Sequence, residues 1–421
     1  MTIEQAFKKI EQGEIAAGLK QLEQIEIEAD HETKYMVAQA YYELGHLEAS
    51  KRIMDELIML YPDEGELYIF LAELLIDMDE EDEAIDMLLE IKETDGVYVQ
   101  AQLLLADLYQ LQGLEEVAEQ KLINALKKAP NEPIVSLGLG EFYLERGDYQ
   151  KSIPHLKKAL YANEPTFEAF HIELRLAEAF SAAGEFEEAI EFYQKGLKDH
   201  DDPMSRFGYA YTVYQLEDFE TAVQQFKKVK DQDPSFSSLY PYLAKSYEAL
   251  HKYKDALHTI EEGLKIDEYN EGLYVHGAKL CFKTGDANKA ENLLRQVISL
   301  NPSYFEAVRT LASYFKHEER FEDLLELIEH IEEFGEQDPL LTWYQAHGLW
   351  KEDKFDAASE AFTKVTEHFT DDAEFCEDYG MFLMESGYRK EGTELLQRAI
   401  SLDDERLHLV EYLEQIREEL E

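Results

Sequence analysis

A skeleton of small, aromatic and turn-forming residues recurs about every 34 residues along nearly the whole chain, and no other feature limits the fold so tightly. Residues 99–132 show it clearly. Two apolar-periodic segments, roughly 98–112 and 115–128, flank Gly113, and Pro130 closes the unit. Leu105, Ala106 and Tyr109 mark the first segment; Ala118, Leu122 and Ala125 mark the second. Their spacing of three and four residues is that of one helix face, so each unit predicts two helices joined by a turn. Small residues at the eighth and twentieth positions let the two helices approach closely; large ones would overpack the contact by about 1–3 kcal/mol. Glycine at the turn supplies a left-handed backbone at the helix C-terminus. Proline or an acidic pair stops the second helix. Tyr and Phe at the eleventh and twenty-fourth positions fill the space between neighbours.

The period, with small residues at the eighth, twentieth and twenty-seventh positions, resembles the tetratricopeptide repeat (TPR). The resemblance covers essentially the whole chain. It implies an all-α fold, an α-α superhelix in the form of a right-handed solenoid. About twelve repeats span residues 1–406, beginning near 1, 31, 65, 99, 133, 170, 203, 237, 271, 305, 339 and 373. The pattern has departures. Gly18 stands where alanine is usual, and Asp79 stands where glycine usually turns the chain. Between the fifth and sixth repeats, YANEPTFEAF adds about three residues, which makes 163–169 a candidate hinge. A lone helix over 407–421 carries Leu409, Leu413, Ile416 and Leu420 on one stripe. A terminal repeat exposes an apolar face, so this helix is expected to cap it, with a partner-binding tail as the alternative.

Composition narrows the partners. The 421 residues include 91 acidic and 40 basic ones, a formal net charge of −51. A surface this negative repels phosphates and anionic lipid, so neither nucleic acid nor membrane is an expected partner. At 45% hydrophobic and 12% aromatic, the chain is far too apolar for disorder. Cys281 and Cys376, far apart, form no disulfide framework or metal knuckle, which suits a reducing compartment. The start, MTIEQAFKKIEQGE, has no signal-peptide core, and the apolar stretch 67–76 is short and carries Glu73. A soluble, cytoplasmic protein is expected. No P-loop, HExxH, nucleophile elbow or CxxC occurs, so neither enzymatic activity nor a cofactor is expected.

The TPR resemblance implies that first helices line a concave groove that binds peptides or extended partner segments. It places the second, fifth, ninth, twelfth and thirteenth positions of each repeat on that groove. The ninth residues of the third to sixth repeats are Glu73, Asp107, Glu141 and Glu178, an acidic ladder. Further along, Lys245 and Lys279 hold the ninth place, with Lys283, Arg309, Lys316 and Lys351 at nearby groove positions. Aromatics accompany this basic half: Phe207, Tyr211, Tyr214, Phe282, Trp343 and Trp350. His347 lies beside the two tryptophans on one helix, at no spacing that marks a metal site. Trp343 and Trp350 suit either inter-repeat core or, if exposed, contact anchors. At about 10 Å between first helices, like charges in water repel by only about 0.4 kcal/mol, so the ladder is cheap and chance can produce it.

No asparagine stands at a ninth position, so the family's carboxylate clamp for chaperone tails is not expected. The chain looks most like bacterial cytoplasmic multi-TPR adaptors that connect a signalling or proteolytic machine to its clients. On that reading it is a non-enzymatic scaffold whose partner is a protein or peptide. The alternative is a peptide-controlled regulator of the aspartate-phosphatase type. Such regulators carry a helical bundle before the repeats, whereas repeats here begin almost at residue 1. Self-association through an end repeat is a third reading, and the sequence sets no oligomeric state.

Overall fold

The computed structural model describes residues 2–162, 171–335 and 337–420. The candidate hinge at 163–169 lies outside the described residues. The chain divides into two compact units, residues 1–216 and 217–421. The first holds α1 (Ile3–Glu11) with α2 (Ile15–Glu28), α3 (His31–Glu43) with α4 (Leu47–Leu60), and α5 (Gly65–Asp77) with α6 (Glu81–Leu89). It continues through α7 (Tyr98–Leu111), α8 (Glu115–Lys128), α9 (Pro133–Glu145) and α10 (Tyr149–Leu160). Then come α11 (Ile172–Ala182), α12 (Phe186–Asp199) and α13 (Pro203–Gln215). The second unit runs from α14 (Phe219–Gln232) through α15 (Leu239–Ala249), α16 (Tyr253–Ile266), α17 (Glu271–Thr284) and α18 (Ala287–Leu300). It goes on with α19 (Phe305–His317), α20 (Phe321–Glu332), α21 (Pro339–Lys351) and α22 (Phe355–Val365). A short 3₁₀ turn, Thr366–His368, precedes α23 (Ala373–Glu385), α24 (Arg389–Leu402) and α25 (Leu407–Leu420). Sequence reasoning treats 1–406 as one continuous array. The division into units falls inside its seventh repeat, at the turn between α13 and α14.

Each helix pair is set by the small residues. Ala38, Ala72, Ala177, Ala244, Ala278, Ala312 and Ala346, all at the eighth position, are fully buried. In the fifth repeat glycine takes that place, and Ser152 Oγ donates to the Gly140 carbonyl at 2.7 Å. Ser50 does the same to Ala38 at 2.8 Å. A Cβ on Gly18 would come within 2.8 Å of the Ala6 carbonyl, which explains the glycine in place of the usual alanine. The turns share one conformation. Gly113 and Gly285 have φ of 71° and 83°, and Asp79, at the position where glycine is usual, keeps the turn at φ 59°. Glu319 and Asp353 likewise accept the left-handed region, at 56° and 58°. Packing of the helix pair imposes that conformation whatever residue stands there, against a cost of about 1–2 kcal/mol.

At the end of the second unit, α25 lays Leu409 into a cluster with Cys376, Leu396 and Ala399, and Leu413 and Ile416 pack beside it. Among the described residues no helix is long and apolar enough to cross a membrane.

The close approach makes a test. A Cβ at Gly140 would sit 2.5 Å from Leu156 Cδ2 and 3.2 Å from the Leu156 backbone nitrogen, whereas at Gly138 the nearest atoms lie at 3.4–3.5 Å. Gly140→Val is expected to destabilise by about 1–3 kcal/mol. Gly138→Ala is expected to be neutral or to stabilise by up to about 1 kcal/mol through helix propensity. Urea denaturation of the two variants checks both.

Candidate functional site

The first helices of the fourth and fifth repeats, α7 and α9, border a cleft of 910 Å³ in the first unit. Gln100, Leu103, Asp107, Gln110 and Leu111 line it from α7. They occupy the second, fifth, ninth, twelfth and thirteenth places of the repeat. A helix turns once per 3.6 residues, so these positions share a face that the pairing with α8 leaves open. From α9 come Ile134, Leu137, Gly138, Glu141, Phe142 and Glu145. The walls are therefore largely apolar, with three carboxylates among them and a fourth, Glu115, from α8.

The carboxylates are not alike. Asp107 has no cation within ion-pairing distance among the described residues. It is open to water but recessed between the helices; desolvation, with the charge of Glu145 added, pushes its carboxyl up to about 6. Glu145 accepts a hydrogen bond from Gln110 Nε2 across the cleft. Glu141 has one oxygen, Oε2, 3.3 Å from Arg175 Nε. Its other oxygen, Oε1, is buried and has no hydrogen-bond partner. Burial raises its pKa, and Arg175 offsets this only in part. The one cation lining the cleft among the described residues, Arg146, is engaged: it lies 2.7 Å from Glu119 and 3.1 Å from Asp148. The other rungs of the expected ladder differ again. Glu73 accepts from Gln100 Nε2 at 3.2 Å, and Glu178 is exposed and 3.3 Å from Arg175. A second cleft of 640 Å³ begins beyond Glu141 and is bordered by Arg175, Glu178, Phe207 and Ser205. On α13, Phe207 stacks with Tyr211 and Tyr211 with Tyr214, each at 6.4 Å between ring centres.

In the second unit the basic residues are present but mostly neutralised. Lys279 lies 2.6 Å from Glu306, Lys283 lies 3.3 Å from Glu248, and Arg309 Nε donates to Asp338 at 3.1 Å. Lys245 is exposed and stands over the Tyr242 ring at 5.8 Å. Four of the expected groove residues belong to the interior instead. Trp343 and Trp350 are 3% and 5% exposed, so they are core and not free contact anchors. Their indole N–H groups donate to Asp378 at 2.9 Å and Glu385 at 2.8 Å. Lys316 reaches Glu374 at 2.6 Å and Asp378 at 2.8 Å, and His347 Nδ1 lies 3.1 Å from the same Asp378 oxygen. Burial opposes the Asp378 charge, but His347 and Lys316 outweigh it and hold that carboxyl below its usual value. These side chains tie α19, α21 and α23 together. Among the described residues no group of His, Cys, Asp and Glu is placed to hold a metal ion.

Sequence reasoning missed Glu145 and the two glutamines, although the twelfth and thirteenth positions were among those the resemblance assigns to the groove. It followed the charged ninth places and stopped there.

Residues 110–164 match the family described as YpiA-like, tetratricopeptide repeats, and residues 339–405 match YpiA-like, C-terminal tetratricopeptide repeats. Over 417 residues the chain is 39% identical to the TPR repeat-containing protein YpiA of Bacillus subtilis (strain 168), covering 99% of this chain and 98% of that one. The chain belongs to the YpiA-like TPR family. Solved structures with a similar fold include YrrB, described as a TPR protein with an unusual peptide-binding site. It is 12% identical, covers 45% of this YpiA-like chain and 96% of its own, and gives a TM-score of 0.39. The C-terminal part of a TPR repeat-containing protein from Cytophaga hutchinsonii is 16% identical, with coverage of 57% and 98% and a TM-score of 0.49.

Two substitutions test these assignments. Asp107 is held above its ordinary pKa, so its protonated form is favoured by folding. That contribution is full below the unfolded pKa near 3.8 and is lost as pH rises through about 6. Asp107→Asn is therefore expected to be more stable than the parent at pH 7.5 and no more stable at pH 4. Solvent screens so exposed a group, which limits the gain to about 1 kcal/mol or less. Urea denaturation at the two pH values measures it. Lys316→Met leaves buried Asp378 with only His347 and the Trp343 indole N–H beside it and is expected to cost about 3 kcal/mol. Adding Asp378→Leu is expected to recover part of that loss, as a double-mutant cycle would show.

Proposed function

We propose that this YpiA-like protein is a non-enzymatic interaction scaffold that holds an extended segment of a protein partner in the cleft between α7 and α9. The observation that carries the reading is the cleft itself: an open, largely aliphatic wall in a protein whose surface is otherwise dominated by acid. Leu111 is 74% exposed at its edge. An extended segment advances about 3.3 Å per residue, so every third residue would meet a successive first helix spaced about 10 Å away. Burying one leucine-sized side chain contributes about 1.5–3 kcal/mol, and micromolar affinity needs about 8 kcal/mol, so two or three such contacts with ordered hydrogen bonds suffice. Helix pairs that differ little in backbone and widely in groove side chains suit a scaffold, because binding changes while the fold does not.

The second unit is the weaker candidate for the same role. Lys279, Lys283 and Arg309 already answer carboxylates of their own unit, and a partner would have to displace those pairs before binding.

A photo-reactive amino acid placed at Leu111 tests the reading against one placed at Glu48 on α4, in cells of the source organism. Discrete adducts with a partner protein are expected from Leu111 and not from Glu48. Adducts from Glu48 alone would contradict the groove reading.

A further inference from the structure

The cleft is charged in a way that its own chain does not answer. Two other carboxylates of the first unit are matched, Glu119 by Arg146 at 2.7 Å and Glu178 by Arg175 at 3.3 Å, while Glu73 accepts from the Gln100 amide. Inside the cleft, Asp107 and Glu145 have no cation in reach among the described residues, and Glu141 leaves one oxygen buried and unbonded. Glu145 acts on both of the others, since its charge is felt at Asp107 and at Glu141, so the three carboxylates converge on one region. Buried acceptors are nearly always satisfied in folded proteins, and an orphaned one at a cleft wall points to a donor that arrives from outside.

The walls define the rest of that donor. Leu103, Leu104, Ile134 and Leu137 form an aliphatic surface directly beside the carboxylates. A free metal ion would leave this surface wet. A side chain with a long apolar stem and a cationic end would cover it and reach the oxygens. Guanidinium suits the site better than ammonium. It is planar and weakly hydrated, its fork of N–H groups can satisfy two carboxylates at once, and Glu141 already pairs with one guanidinium, that of Arg175, through its other oxygen. The second unit offers the converse: its groove cations Lys279, Lys283 and Arg309 meet carboxylates of their own unit, so those carboxylates do not call for an arginine.

We propose that the cleft recognises a basic-aliphatic segment, one arginine lodged among Asp107, Glu141 and Glu145 with flanking leucine-type side chains on Leu103, Leu104 and Leu137. The proposal rests on the cleft being the binding site and adds the chemistry of its occupant. Aliphatic contact supplies most of the affinity, and the arginine supplies the selection: a segment with glutamate at that place meets three carboxylates of like charge and is rejected.

The test uses the full chain with methyl-labelled isoleucine and leucine, observed by NMR in 0.15 M salt at pH 7.5. The probes are three acetylated, amidated nonapeptides with Gly-Ser flanks and Leu-X-Leu at the centre, where X is arginine, citrulline or glutamate. Citrulline keeps the shape and removes the charge. The arginine peptide is expected to shift the methyls of Leu103, Leu104, Ile134 and Leu137 saturably, and the citrulline and glutamate peptides to bind at least about fivefold more weakly. The double variant Asp107→Asn, Glu145→Gln is expected to abolish that discrimination; because the peptide exchange is made on the unaltered protein, a misfolded variant does not remove the test. If citrulline or glutamate binds within fivefold of arginine while the same methyls move, the cleft is a docking site but the arginine assignment is overturned. If no peptide moves these methyls, the cleft reading fails and the assignment with it.

Discussion

At Gly140 two helices approach so closely that a serine hydroxyl on one donates to a main-chain carbonyl on the other at 2.7 Å. That contact, made in other repeats by a pair of alanines, is the constraint on which the rest depends. It fixes which stripe of each helix is spent on its partner, and the left-handed turn fixes how the partner arrives. Asp79, Glu319 and Asp353 adopt that turn without being glycine, so the pairing energy exceeds the local backbone cost. Everything not used in pairing or stacking is left on the open faces of first helices. Function can be written there without disturbing the fold.

The two units use that freedom differently. In the second, charged side chains at groove places are drawn into bonds between successive helices, and Lys316, Asp378, Trp343 and His347 form a buried cross-link among three helices. Such a cluster specifies one register, because removing a member strands the others without water. In the first unit, among the described residues, Asp107 has no ion pair and Glu145 has only the hydrogen bond that it accepts from Gln110. Glu141 pairs through only one of its oxygens. Carboxylates that desolvation raises, as at Asp107 and Glu141, are a local cost to stability, and costs of that kind concentrate where a protein meets its ligand.

The fold was legible from the sequence because its rule is short and repeated. Ala106, Gly113 and Ala118 state the rule once, and every later repeat restates it with small variations. The site was legible only as a set of faces. Periodicity says that Asp107 and Lys316 both stand on the open side of a first helix. It does not say that Glu374, 58 residues further on, arrives to neutralise Lys316 while no cation among the described residues arrives for Asp107. Pairing across repeats depends on how far a long side chain reaches between stacked helices, a distance that composition does not encode. Trp343 and Trp350 were ambiguous for the same reason, since an aromatic near the edge of a helix face is buried or exposed according to what its neighbour repeat places opposite it. Glu145 escaped notice because attention to the ninth places hid a carboxylate one helical turn further along the same cleft.

The most direct test of the central claim, that this cleft is built around a charge it does not itself supply, is a crystal structure of the protein bound to the Leu-Arg-Leu nonapeptide. The account predicts the guanidinium within hydrogen-bond distance of Glu141 Oε1 and of the Asp107 or Glu145 carboxylate, with a leucine of the peptide against Leu103 and Leu137. A peptide ordered on the outer helices, or one whose arginine points to solvent while its leucines fill the cleft, would contradict it.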